Sequence, residues 1–279
     1  MTGALAERLT ELLSGPDTDI PLTEAALLVA THAYPDLDLP YWMGRIDRMA
    51  QAVSQRIGDE ASATERIAAL NQYLFVDQGF GPNTDDYYDP RNSLLNDVIE
   101  RRVGIPITLS LLYMELGNRI GLPLRGVCFP GHFLVKCKVR EGVVMLDPYA
   151  GGLSLGLTDL QRRLREVRGG EVSRAIIAGL LVAATRKEIL VRMLRNLKAI
   201  YLRRHDLEHA LPIMEWIVCA DPGQPAEIRD RGMVYQELNC FRAAIADFEH
   251  YLKLEPACID AEEIRQRLID VQRNAARLN

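Results

Sequence analysis

The chain lacks an excess of positive charge, a long apolar run and paired cysteines. At one position where a particular chemistry would call for a nucleophile, it has none. Thirty-three Lys and Arg stand against 38 Asp and Glu, a formal net charge of −5. Nucleic acid or an anionic membrane would ordinarily require a basic surface, so neither is expected as a partner. The longest apolar stretch, residues 175–184, is about half of what a bilayer span requires and is read as a buried helix. No N-terminal segment combines a basic start, an apolar centre and a small-residue cleavage site, because charge begins at Glu7, and a cytoplasmic protein is expected. Cys128, Cys137, Cys219, Cys240 and Cys258 are odd in number and form no C-x-x-C pair. Free thiols in a reducing compartment are expected, with no zinc site, no other metal and no cofactor.

What is present is a large apolar complement and strong helical periodicity. At 279 residues and 48% hydrophobic content, the chain can bury one large core or two smaller ones. In the N-terminal third the breaks fall at Gly15-Pro16, Pro35, Pro40 and Gly58. One helix is expected to start at Thr23 as its cap. Another should run from about Tyr41 to Ile57, with Ile46, Met49, Ala50 and Val53 on one stripe, and a third from Ser62 to Phe75. The loop GFGPNTDDYYDPRNS follows, rich in turn formers and expected on the surface.

From Asn92 the pattern predicts a helix with Leu94, Leu95, Val98 and Ile99 buried and Gly104 as its stop. Pro106 suits the first turn of the next helix, which should reach about Ile120. Short strands are then expected over 124–129, 132–138 and 143–146. The fold class expected is α+β. A helical N-terminal region (1–60) should precede a core with a small antiparallel sheet (61–170) and an all-α C-terminal region (171–279).

The last third repeats itself. Tyr201, Ala210 and Pro222 recur as Tyr235, Ala244 and Pro256, each shifted by 34 positions, the period of the tetratricopeptide helix-turn-helix unit. Met214 and Phe248 take the large packing position, and Ala210 and Ala244 the small one. Lys198 and Arg231 depart from the usual small and leucine positions. Two degenerate repeats cannot usually bury a core alone, so they should dock on the preceding region and end in a solvated helix over residues 259–278.

From about Tyr87 to Gly152 the chain resembles the transglutaminase-like domain of the bacterial SirB-type regulator family. The residues that carry the match are YYDPRNSLLNDVIERRVGIPITLSLLY, GLPLRGVCFPGHFLVK and LDPYAGG. In that family such a domain is followed by tetratricopeptide repeats, as here, and the family label implies a regulatory association. Active members of the wider superfamily resemble G-x-C at a helix start, a Gly seventeen residues later, a His on a strand and an Asp on the next. Gly104 and Gly121 keep that separation, and His132 and Asp147 fall on the His and Asp positions. The cysteine position falls on Pro106. A thiolate there would be stabilised by the helix N-terminus, whereas proline offers no nucleophile. A non-catalytic, regulatory or protein-interaction pseudoenzyme is therefore expected. The alternative is a cryptic hydrolase or acyltransferase in which His132 and Asp147 act with a water, a hydroxyl or a displaced thiol.

If residues 139–142 close the hairpin, Leu134 lies opposite Asp147 and His132 is its diagonal neighbour, roughly 7–8 Å away between Cα atoms. That permits a His-carboxylate bond, either as a structural remnant pair or as part of a site. Thr108 and Ser110 could bring hydroxyls close or be ordinary helix residues. Cys128 lacks a helix dipole and reads as a small buried hydrophobe, and Cys137 alternates to the opposite face. His205 and His209 share a helix face without a third ligand and read as surface. Arg192, Arg195, Arg203 and Arg229 fall on the first helices of the two repeats. There they either grip a carboxylate of a protein or acidic peptide partner or form the charged face behind which Met193, Leu194, Leu197 and Tyr201 are buried.

Overall fold

The computed structural model describes residues 2–140 and 142–277. The N-terminal helices are α1 (Thr2–Ser14), α2 (Leu22–Leu28), α3 (Leu39–Ser54) and α4 (Ala63–Asn71). α3 begins where the Asp38 carboxylate accepts the Tyr41 N–H at 2.9 Å, with Pro40 in the first turn. Ile46, Ala50 and Val53 form its buried stripe, and Met49 is half-buried. Thr23 does not cap α2, which starts one residue earlier. Its hydroxyl instead donates to Glu115 Oε2 at 2.5 Å, because a buried Thr inside a helix must find a partner in the neighbouring element. α4 has the full reciprocal cap between Ser62 and Glu65, and the chain continues as a π-helical turn over Gln72–Asp77.

The central elements are β1 (Gly81–Pro82), α5 (Leu95–Arg101), β2 (Val103–Gly104) and α6 (Pro106–Arg119). Gly104 does not end α5. Arg102 does so in the left-handed conformation (φ 62°), which frees Gly104 to pair in parallel with Pro82. α6 is buried from Pro106 to Met114. A four-stranded antiparallel sheet follows in sequential order: β3 (Leu124–Val127), β4 (Leu134–Val139), β5 (Gly142–Asp147) and β6 (Leu153–Leu155). The pairs run from Val139 with Gly142 to Val135 with Leu146, so the register continues to Leu134 opposite Asp147. Alternation sends Val135, Cys137 and Leu146 into the main core with α6, and Leu134, Met145 and Leu155 into a second core with Leu160 and Leu164. Those two leucines belong to α7 (Leu157–Arg168).

The C-terminal part is helical throughout: α8 (Arg174–Leu180), α9 (Arg186–Arg203), α10 (Leu207–Ala220), α11 (Pro225–Glu237), α12 (Phe241–Leu254) and α13 (Ala261–Arg277). The apolar run 175–184 is not one buried helix. α8 stops at Leu180, only Ile177 enters the core, and Ile176 and Val182 are exposed, since one short helix turns a single side chain inward. α9 and α10 complete the main core, which runs without interruption from Leu9 to Val234. α11, α12 and α13 share a separate core built on Phe248, Tyr251 and Ile264. The expected final helix starts at Ala261 rather than residue 259, and its expected end, Leu278, lies outside the described residues.

Candidate functional site

The site is built around one buried carboxylate. Asp147 ends β5 and caps the short turn Pro148–Ala150, accepting the N–H groups of Tyr149 (3.1 Å) and Ala150 (3.3 Å) on Oδ1. The same oxygen lies 2.9 Å from His132 Nε2, which must carry the proton for this contact to be a hydrogen bond. Oδ2 is 2.6 Å from Arg163 Nη1 of α7, a close ionic contact outside hydrogen-bond alignment. Burial alone would raise the Asp147 pKa. The His132 hydrogen bond and the charges of His132 and Arg163 more than offset it, so the group stays below the ordinary carboxylate range.

The turn after Asp147 is clamped from behind. Asn71 Nδ2 donates to Gly152 O at 3.2 Å while Asn71 Oδ1 accepts the Tyr113 hydroxyl at 2.8 Å. Gly152 has φ +78°, and a Cβ there would stand 2.2 Å from Asn71 Oδ1, so only glycine fits the position. The His132 ring meets the edge of Tyr149 at 5.8 Å, and its side chain is 15% exposed. Among the described residues its Nδ1 has no hydrogen-bond partner.

The candidate nucleophiles lie elsewhere. Pro106 occupies the first position of α6. Thr108 donates its hydroxyl to Asn92 O at 2.7 Å and accepts the Ile105 N–H at 3.2 Å, so it serves the helix start. Ser110 is fully buried, and its hydroxyl is without a partner among the described residues. Cys128 stands just past β3, half-buried, and burial pushes its thiol pKa up although the adjoining Arg192 offsets part of the rise. Cys137 is fully buried on the other sheet face, and burial raises its thiol too.

The four repeat arginines do not form one set. Arg192 Nη2 donates to the His132 carbonyl at 2.7 Å, and its guanidinium lies 6.0 Å from the Phe133 ring centre, which ties α9 to the His132 corner. Arg203 covers the Tyr88 ring at 4.0 Å. Arg195 is bound by Glu227 (2.7 Å), and Arg229 by Asp230 (2.8 Å) and Asp260 (2.7 Å). The two off-pattern repeat residues are explained by the same economy. Lys198 is buried between Glu227 and Asp230, both at 2.7 Å, and Arg231 grips both oxygens of Asp247. His205 is mostly exposed, and His209 bonds Asp206 at 2.8 Å.

Sequence reasoning missed Arg163 and the link from Arg192 to His132. Arg163 could have been found, since it sits beside Leu164 on a helix whose apolar stripe must face the sheet. The Asp-Pro start of the capping turn was also legible. The Arg192 contact left no local signal.

A family model described as the transglutaminase-like superfamily matches residues 41–195, and a tetratricopeptide-repeat model matches residues 197–269. A relative named UPF0162 protein from Xylella fastidiosa (strain 9a5c) is 39% identical over 257 residues, covering 91% of each chain. The chain belongs to the SirB-type family of transglutaminase-like proteins. A UPF0162 protein of Pseudomonas aeruginosa is 32% identical over 88% of this chain and 89% of its own. Protein SirB1 of Salmonella typhimurium is 25% identical over 89% of this chain and 91% of its own. No solved structure matches. Among the described residues no helix is long and apolar enough to cross a membrane.

Proposed function

We propose that this family member is a transglutaminase-like pseudoenzyme that acts as a regulatory module by holding a protein partner through its core and its repeats. The observation that carries this reading is Pro106 at the helix start where the superfamily chemistry needs a thiolate. Two further observations support it: Thr108 spends its hydroxyl on the cap, and Cys128 is held protonated by burial. An acidic segment of the partner is the expected ligand of the repeat arginines. Arg192 and Arg203 are the more available, because neither has a carboxylate partner among the described residues, whereas Arg195 and Arg229 would have to exchange one carboxylate for another.

A second reading draws support from the His132–Asp147 pair, which is assembled at hydrogen-bond distance with one imidazole nitrogen unused. That is the arrangement a general base requires, so a water-activating hydrolase is the competing proposal. Amine-incorporation and ester-hydrolysis assays on the full chain and on His132→Ala separate the two. No activity above background in either protein is the expected result. Turnover that disappears in His132→Ala overturns the pseudoenzyme reading. Partner recovery from cells, expected to fall when Arg192, Arg195, Arg203 and Arg229 are all replaced by Ala, tests the binding role, and unchanged recovery would remove it.

A further inference from the structure

A cavity of about 690 Å3 opens between the end of β3, the α8–α9 connection and one face of α9. That volume falls within the range of roughly 300–1,000 Å3 of small-molecule sites. Cys128, Leu180, Val182, Ala184, Val191 and Ala220 supply apolar wall, and Val182 is 68% exposed. Two cations line the same cavity without an acidic partner among the described residues. Among the described residues the Lys187 side chain makes no hydrogen bond or ion pair, and Arg192 donates to the His132 carbonyl and adjoins the Cys128 thiol but meets no carboxylate. Lys187 and Arg192 stand five residues apart on α9, about 140° around the helix, and both still line the cavity.

The acids of the cavity are unequal. Glu188 accepts the Thr185 N–H at 2.7 Å in the cap of α9, so its charge is used by the helix N-terminus. Arg195 is held by Glu227. Asp221 lines the cavity with no side-chain partner among the described residues and can only accept. A ligand matched to these walls carries a carboxylate for Lys187 and Arg192, an N–H donor for Asp221 and an aliphatic group for Leu180, Val182 and Val191.

We propose that this cavity binds a small aliphatic carboxylate bearing an adjacent N–H, the chemistry of an N-acylated apolar amino acid, whether free or at the end of a chain. The site shares Arg192 and Arg195 with the acidic-partner reading, whereas Gly179, Leu180 and Lys187 belong to the cavity alone.

The test uses the 15N-labelled full chain with N-acetyl-leucine, N-acetyl-leucinamide and acetyl-Gly-Gly-Leu as probes. N-acetyl-leucine should shift the amides of Cys128, Gly179, Lys187 and Arg192 in a saturable way, and the uncharged amide should bind about tenfold more weakly or worse. Lys187→Gln should weaken the acid and leave the amide unchanged. A tripeptide that binds at least as tightly as the free acid identifies a chain end as the occupant, and a weaker tripeptide identifies a free acid. Gly179→Phe supplies the independent control. A Cβ at Gly179 has nothing within 4 Å, so a larger side chain can start from this cavity-lining position without a backbone clash. This variant should keep its melting temperature while losing the probe. Equal binding of acid and amide, no saturable shifts at tens of millimolar probe, or probe binding that survives Gly179→Phe would overturn the proposal.

Discussion

The His132 corner and the repeat region both rely on charge, but they use it in opposite ways. At the corner one carboxylate, 1% exposed, gathers an imidazole, two backbone N–H groups and a guanidinium, so three donors and one ionic partner depend on Asp147. In the repeats the charges are distributed. Arg195, Lys198, Arg229 and Arg231 are each matched to carboxylates, and two of those acids, Glu227 and Asp230, serve two cations each. The corner should therefore fail at a single substitution, whereas the repeats should lose a little at each. The largest expected effect is that of Asp147→Ala. It strands Arg163 and the Tyr149 and Ala150 amides next to an apolar layer, and removing one partner of a buried pair costs about 3–5 kcal/mol. Chemical denaturation measures it, and a loss below that of any repeat arginine would break the comparison.

The second test lies where the repeat region meets the N-terminal helices. His32, in the turn after α2, is half-buried with Nδ1 2.7 Å from the Val29 carbonyl and Nε2 2.7 Å from the Tyr201 hydroxyl of α9. The neutral ring satisfies both, donating from Nδ1 and accepting at Nε2. Burial, with the nearby His209 adding to it, lowers its pKa from 6.5 to about 4. Because the folded value lies below the unfolded one, the unfolded chain binds the extra proton first. Stability is fully present above about pH 6.5 and falls as the pH drops toward 4, by about 3 kcal/mol over that window. Denaturation midpoints across the window check this, and His32→Gln should remove the slope. Asp147 acts lower down, since its depressed pKa keeps its contribution until the pH falls below the ordinary carboxylate range.

Legibility divides along the same line as the chemistry. The hairpin register was readable because strand alternation and a short connection leave one pairing, and that pairing puts His132 and Asp147 together. The repeat was readable because a fixed period repeats its packing residues: Ala210, Met214, Ala244 and Phe248 are all fully buried. Helix ends were less so. Gly104 looked like a stop, yet Arg102 took the left-handed position because the chain must re-enter a bridge with Pro82. The pairing of Arg195 and Arg229 with carboxylates 31–32 residues away was hidden, because a surface arginine and a tethered one have the same local pattern.

A smaller effect is expected inside the second repeat. Gly232 occupies the position that Lys198 holds in the first, and a Cβ at Gly232 would stand 2.8 Å from Phe248 Cε1 and 3.1 Å from Asp247 Cβ. Gly232→Ala should therefore cost about 1–3 kcal/mol through overpacking, despite the better helix propensity of alanine. The reciprocal change sharpens the point. Phe248→Leu in the Gly232→Ala background should recover part of the loss, and a purely additive double mutant would show that the ring is not the obstacle.

The smallest effect should be that of Arg229→Ala, although Arg229 makes more charged contacts than any other repeat arginine. Its guanidinium is 30% exposed, and its partners Asp230 and Asp260 are 29% and 25% exposed, so water can solvate both acids once the cation is gone. Asp260 also keeps the Tyr251 hydroxyl at 2.5 Å, and Asp230 keeps Lys198 at 2.7 Å. Neither carboxylate is abandoned, unlike the donors left by Asp147→Ala. A pair of this exposure contributes about 0–1 kcal/mol, and the change should shrink further as salt is added. A loss above about 2 kcal/mol that is insensitive to salt would mean that the repeat network behaves like the corner, with its charges holding the fold together as one unit.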